Sequence, residues 1–284
     1  MLRRALNRQP RTRQLWASDS SLVEACLEEH PLDTVFLRSE IRQGALRQGS
    51  LLGVEHTQGR RLRGVVMHGP LVVPWAPDPR DLDALARALR PHLPWIQLMV
   101  GPQDQVARLQ EQLGSRLPPV RTLRAVQPHY ALDRGSVAPP PSDPPPLRRA
   151  RTDELEQLVR AGAAMHLEEV GFDPMSVDPS GYRERVLALI RRGRLYVWME
   201  REQVAFKAEC SSVTPEAVQL QGVWTDPALR RQGRATRAMA TLCHQLLADT
   251  EWVTLFVNDF NDTAIRMYER IGFRRIGSMR TVIF

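Results

Sequence analysis

VWTDPALRRQGRA, Val223 to Ala235, is the stretch from which the fold can be read. Ahead of it, Ala217 to Thr225 alternates apolar and polar residues as far as Gly222, the period of two that a strand imposes. Asp226 and Pro227 end that strand. Beyond the turn, Ala235, Met239, Leu242, Cys243, Leu246 and Leu247 recur at steps of three and four, one apolar stripe along a helix. Gly233 therefore falls in the first turn of that helix, where the leading N–H groups lack intrahelical partners and the helix dipole adds partial positive charge. With no side chain, Gly233 lets an anion reach the backbone, and Arg230, Arg231 and Arg234 add formal charge. The stretch predicts a pyrophosphate cradle.

The spacing Arg230-x-x-Gly233-x-Ala235 resembles the acyl-CoA signature of the GNAT N-acyltransferase superfamily. A second segment points the same way. Trp252 to Asn258 is strand-like, and Asn261 to Phe273 follows as a short helix with Asn at its start and Gly at its end. Its pattern, Asn261, Ala264, Tyr268 and Gly272-Phe273, is similar to the closing strand and helix of the same superfamily, at the family's usual distance from the first motif.

A chain of 284 residues is too long for one such domain and comfortable for two. The break is expected at Val137 to Leu147, whose six prolines predict a stiff extended spacer. This gives three expected parts: residues 1–135, a degenerate GNAT-like domain; 136–147, the linker; and 148–284, the acetyl-CoA-binding domain.

In the first part, Leu51 to Glu55, Leu62 to Met67 and Leu71 to Trp75 read as strands, and Asp81 to Leu89 as a helix. Ile96 to Val100 is a further strand, and Gln103 to Leu113 a helix. Laying Ile96 to Val100 on Val253 to Val257 matches Leu98 with Leu255, Val100 with Val257 and Ala107 with Ala264, but puts Asp104 on Asn261 and Glu111 on Tyr268. That order suggests a diverged repeat that has lost its chemistry. In the last part a helix (Asp153 to Leu167), a helix (Ser180 to Arg191) and a hairpin (Leu195 to Glu200, Val204 to Cys210, turning at Arg201 to Gln203) precede the cradle strand. The resemblance implies an α/β fold of two tandem GNAT-like domains, each a mixed, mostly antiparallel sheet flanked by helices.

The net charge of +7 invites a nucleic-acid reading, yet Lys207 is the only lysine among 39 basic residues, and arginines alternate with Asp and Glu through most of the chain. That skew, with abundant Ala, Leu and Pro, is the mark of a GC-rich genome and suggests a bacterial protein. Nucleic acid is not the expected partner. The run Arg3, Arg4, Arg8, Arg11 and Arg13 reads as a solvated arm. Cys26, Cys210 and Cys243 are scattered, and neither they nor the seven histidines show metal-ligand spacing, so no metal is expected. No apolar run is long enough for a membrane span, and a reducing cytoplasm is the expected compartment.

The resemblance implies direct acyl transfer: an amine attacks the thioester of acetyl-CoA and the CoA thiolate leaves. Backbone amides of Val223, Trp224 and Thr225 would hold the thioester carbonyl. Arg230, Arg231, Gln232, Gly233, Arg234, Ala235 and Thr236 would cradle the pyrophosphate. Asn258, Asn261 and Ala264 would flank the pantetheine arm, and Tyr268 would protonate the leaving thiolate. Lys207 and Glu209 share one face of their strand, as do Gln219 and Gln221. Glu209 is the candidate base or acceptor contact, with a Lys207/Glu209 ion pair as the other reading; Glu169 and Gln221 are further acceptor contacts. The acceptor is an unidentified amine, and a monomer or a homodimer is compatible with the sequence. A CoA-binding regulatory or scaffold protein is the alternative.

Overall fold

The computed structural model describes residues 10–55 and 61–284. Arg3, Arg4 and Arg8 lie outside the described residues. The chain forms two compact units, and the chain path between them is not simply sequential.

The first unit comprises the described residues up to His129 together with Phe256–Phe260 and Arg275–Phe284. Its strands are β1 (Arg11–Leu15), β2 (Leu51–Glu55), β3 (Leu62–Met67), β4 (Leu71–Trp75) and β5 (Leu98–Pro102). β1 to β4 pair antiparallel in order, and β4 pairs parallel with β5. The strand period sorts the side chains onto two faces. Leu52, Val54, Val66 and Val72 pack under α3 (Pro79–Leu89) and α4 (Gln103–Leu113), while Leu51, Val65, Met67 and Val73 pack with α1 (Ser20–Leu27) and α2 (Val35–Arg42).

The expected strands β2, β3 and β4 and helix α4 stand at the predicted residues. Helix α3 begins two residues earlier than predicted, because the Asp78 carboxylate accepts from Arg80 N and Pro79 sits in the first turn. β5 begins at Leu98, after a 3-10 segment from Arg90 to Trp95. Arg11 and Arg13 are not a loose arm. They form β1, where Arg13 reaches Asp19 at 2.7 Å and Glu55 at 2.6 Å.

The second unit spans Tyr130–Leu255 and Asn261–Arg274. Helices α5 (Leu155–Val170), α6 (Pro174–Val177) and α7 (Pro179–Arg191) precede β8 (Leu195–Glu200), β9 (Gln203–Val213) and β10 (Ala217–Thr225). β7 (Arg148–Arg149) comes before them, and α8 (Arg234–Leu247), β11 (Trp252–Phe256) and α9 (Asp262–Ile271) follow; β6 (Thr122–Asp133) and β12 (Arg274–Ile283) lie mostly in the first unit, up to His129 and from Arg275. Neighbouring strands run β11, β10, β9, β8, β7, and β10 with β11 is the parallel pair. The hairpin between β8 and β9 turns through Arg201 and Glu202, both at positive φ (+47° and +64°), as a two-residue type I′ turn requires. One face carries Leu158, Val159, Tyr182, Val186 and Ile190 of α5 and α7 against Leu195, Val197 and Val204. α8 buries Ala238, Met239, Leu242, Cys243, Leu246 and Leu247.

These units depart from the division at 135 and 148. β12 pairs antiparallel with β5, from Met279 opposite Pro102 to Ile283 opposite Leu98, so hydrogen bonding assigns residues 275–284 to the first unit. The proline-rich segment belongs to the second. Pro145 and Leu147 are buried, Ala138 O accepts from the His244 ring, and Arg237 binds Asp143 at 2.7 Å. Both units repeat the order strand, strand, strand, helix, parallel strand, helix, which is the expected repeat. Among the described residues, no helix is long and apolar enough to cross a membrane.

Candidate acyl-CoA site

The site is built where β10 leaves its parallel neighbour. Hydrogen-bonded register between β10 and β11 covers only Ala217 to Gln219 opposite Trp252 to Thr254. From Leu220 onward β10 runs without β11 beside it in register, so Val223 and Thr225 can offer backbone groups on that side. On its other side β10 bulges: Gln221 faces Glu209 and Trp224 faces Lys207, leaving Gly222 and Val223 opposite Ala208 alone. Gly222 takes φ +58°, which favours glycine.

After β10 the chain turns through Pro227–Leu229, capped by Asp226 accepting from Ala228 N at 2.8 Å. Arg231 (φ +61°) and Gly233 (φ +71°) are both left-handed, and Gly233 is the N-cap of α8. A Cβ placed on Gly233 would meet nothing within 4 Å. Glycine is therefore demanded by backbone conformation, and the space in front of it is open. The first intrahelical bond of α8 is Arg237 N to Gly233 O, so the N–H groups of Arg234, Ala235 and Thr236 precede the helical ladder, where an anion is favoured by geometry and by the helix dipole. The residues present fit a pyrophosphate.

The cradle arginines are disposed unequally. Arg230 donates to Thr225 O at 3.0 Å and pairs with Glu168 at 2.7 Å, tying the turn to the end of α5. Arg231 is exposed and makes no such bond among the described residues. Arg234 is turned aside: it pairs with Glu200, donates to the Gln232 amide oxygen at 3.1 Å, and lies 5.2 Å from the Trp198 ring centroid. Arg237, not singled out from sequence, lies 6.0 Å from the same ring. Arg234, Arg237, Trp198 and Glu200 line a cavity of about 460 Å³ with Met199 and Asp143. Trp224 places its ring in the core under α5 and α7, so it contributes backbone rather than side chain to the cradle; its indole N–H is buried without a partner among the described residues.

Tyr268, on α9, is buried against Phe273, with ring centroids 5.7 Å apart. Burial raises its phenol pKa, and the charge of Glu169 raises it further. At neutral pH the phenol keeps its proton, the state an acid needs. Asn261 caps α9, its amide oxygen accepting from Ala264 N at 3.2 Å. Asn258 sits in the first unit, where its amide oxygen accepts from Gln127 at 3.0 Å and Gln127 accepts in turn from Thr281 at 2.6 Å. Glu169 is exposed at the end of α5.

Of the two readings of Glu209, the ion pair is the one formed. Its carboxylate is 2 % exposed and accepts from Lys207 Nζ at 3.0 Å, Arg185 at 2.8 Å and Gln221 at 3.1 Å. Burial alone would push its pKa up, but the two cations and the hydrogen bonds outweigh that and hold it at about 2. A carboxylate so held is a weak proton acceptor at neutral pH, and the geometry favours the ion-pair reading of Glu209 over the base. The Lys207/Glu209 pair, two residues apart on one strand, closes because both side chains rise on the same face beside a residue without a Cβ.

Residues 164–273 match the acetyltransferase (GNAT) family, and residues 49–158 match a domain of unknown function, DUF4081. The comparison with curated proteins gives no match. Among solved structures, a GNAT-family acetyltransferase from Colwellia psychrerythraea aligns with TM-score 0.61 at 13 % identity, over 96 % of this chain and 99 % of its own. A GCN5-related N-acetyltransferase from Sphaerobacter thermophilus aligns with TM-score 0.60 at 17 % identity, over 98 % and 96 %. A tandem GNAT protein from the clavulanic acid biosynthesis pathway aligns with TM-score 0.54 at 13 % identity, over 96 % and 98 %. At these identities the likeness is one of fold, and it runs nearly end to end. Residues 164–273 thus carry a match to the acetyltransferase (GNAT) family, and the fold of the chain is similar to that of a tandem GNAT protein.

Proposed function

We propose that the second unit transfers an acetyl group from acetyl-CoA to an amine acceptor. The observation that carries this reading is the succession of a β10 that parts from β11 after Gln219 and a left-handed turn at Arg231 and Gly233 that opens onto the α8 N-terminus. Bound acetyl-CoA would supply an activated thioester acyl group. The α8 amides and Arg231 would hold its pyrophosphate, and the backbone of Val223 to Thr225 would orient its carbonyl. Tyr268 would hold a proton for the departing thiolate, since burial and Glu169 keep the phenol protonated. We assign the acceptor contact to Glu169, the carboxylate whose field reaches Tyr268.

Calorimetric titration of acetyl-CoA and CoA into the intact protein tests the reading. Saturable binding that is lost in Gly233→Val, where φ +71° disfavours a branched residue and the new side chain would fill the space open to the anion, supports it. An intact protein that binds neither ligand overturns it.

A further inference from the structure

Lys207 is the buried charge that the acyl-transfer reading leaves without a task. It is the chain's only lysine, and it is 1 % exposed on β9. Its Nζ donates to Glu209 at 3.0 Å and to the carbonyl oxygen of Gly222 at 3.1 Å. Gly222 lies in the bulge of β10, and a Cβ there would come within 3.0 Å of the Glu209 carboxyl and 3.2 Å of Nζ. The ammonium reaches this peptide because the residue has no side chain. A trans peptide is planar, so the C=O of Gly222 and the N–H of Val223 belong to one unit and point in opposite directions. A cation that fixes the Gly222 oxygen therefore fixes the Val223 N–H facing away from itself. By drawing electron density onto that oxygen it also makes the N–H a stronger donor.

We infer that Lys207 is a positioning residue: it clamps the Gly222–Val223 peptide so that the Val223 N–H is presented, polarised, to the acyl carbonyl of the donor. This rests on the acetyl-CoA reading above, which puts that carbonyl at the β10 amides. Glu209, with Arg185 and Gln221 behind it, holds Lys207 in place, which gives the fully buried carboxylate a structural task. Lys207 itself touches neither substrate nor reacting atoms.

The readout is the infrared carbonyl stretch of acetyl-CoA labelled with carbon-13 at the acetyl carbonyl, measured free and bound to the full-length protein. Polarisation by a backbone N–H lowers that frequency. The expected result is a downshift in wild type, reduced in Glu209→Gln, which keeps the Lys207 donor but removes its anchor, and largely lost in Lys207→Met/Glu209→Gln, with acetyl-CoA still bound. Should the double variant fail to fold, Lys207→Gln/Glu209→Gln carries the same comparison, its side chain being one atom too short to reach Gly222. Equal downshifts in wild type and both Lys207 variants overturn the clamp while leaving the acyl-transfer reading intact. Binding with no downshift in wild type also overturns it, and no binding at all overturns both.

Discussion

Replacing Glu209 by Gln gives a stability signature whose sign and pH window follow from the site. The Glu209 carboxyl has an ordinary pKa of 4.5 and is held at about 2 in the folded chain. A depressed folded pKa contributes stability that is complete above the unfolded value and is lost as pH falls through the folded one, because the unfolded chain takes up the proton first. Between pH 7 and pH 3 that loss is about 2 kcal/mol. Glu209→Gln cannot titrate, and at pH 7 it strands Lys207 without its counter-charge, at a cost on the order of 3 to 5 kcal/mol. The wild type should therefore be the more stable at pH 7, and its margin over the variant should narrow by about 2 kcal/mol on going to pH 3. Amide hydrogen exchange along β9 and β10 is the assay, since it reads the opening of this sheet rather than of the whole two-unit chain. A margin that is the same at both pH values would refute the account of Glu209 as a permanently ionised anchor.

Tyr268→Phe keeps the ring against Phe273 and removes the proton, so turnover with an amine found by screening should fall roughly 100-fold or more while acetyl-CoA affinity is unchanged; unchanged turnover removes the acid from the mechanism. Gly272→Ala places a side chain at φ +111° with its Cβ 2.0 Å from Ser136 O, so a thermal or urea melt should show a loss of about 2 to 5 kcal/mol, and a melt like wild type would mean this turn adapts freely. A fragment ending at residue 135 lacks β12 and leaves the β5 edge unpaired, so light scattering should find it associating where the full chain does not; a soluble, stably folded fragment would show that β12 is dispensable to the first unit.

What sequence could reveal depended on whether a feature was local. The strand at Ala217 to Thr225, the Asn261 cap and the Gly272 stop are set by neighbours within a few residues, and the structure has each of them, although Ala217 to Leu220 are buried on both faces rather than alternately. The β1 strand escaped because RTRQL is polar in composition; it forms because Arg13 finds Asp19 and Glu55, the latter far along the chain. β12 escaped for a similar reason: RRIGSMRTVI buries mainly Met279, Thr281 and Val282, too few to mark a strand by periodicity. At the site, the residue types in the cradle were legible, but which arginine remains available was not. Arg234 is diverted by Trp198 and Glu200, and Glu209 is neutralised by Arg185 from a separate helix. Those are tertiary partnerships, invisible to spacing.

The pairing of β12 with β5 also has a consequence during synthesis. Residues 275–284 emerge from the ribosome only after the helices and strands of the second unit have been made, so throughout that interval the nascent first unit carries a β5 without its antiparallel neighbour. An open strand edge is a template for other chains. Premature termination anywhere before Arg275 would thus harm the half of the molecule already translated, and a cell making this protein would have reason to shield that edge with a chaperone until the final strand arrives.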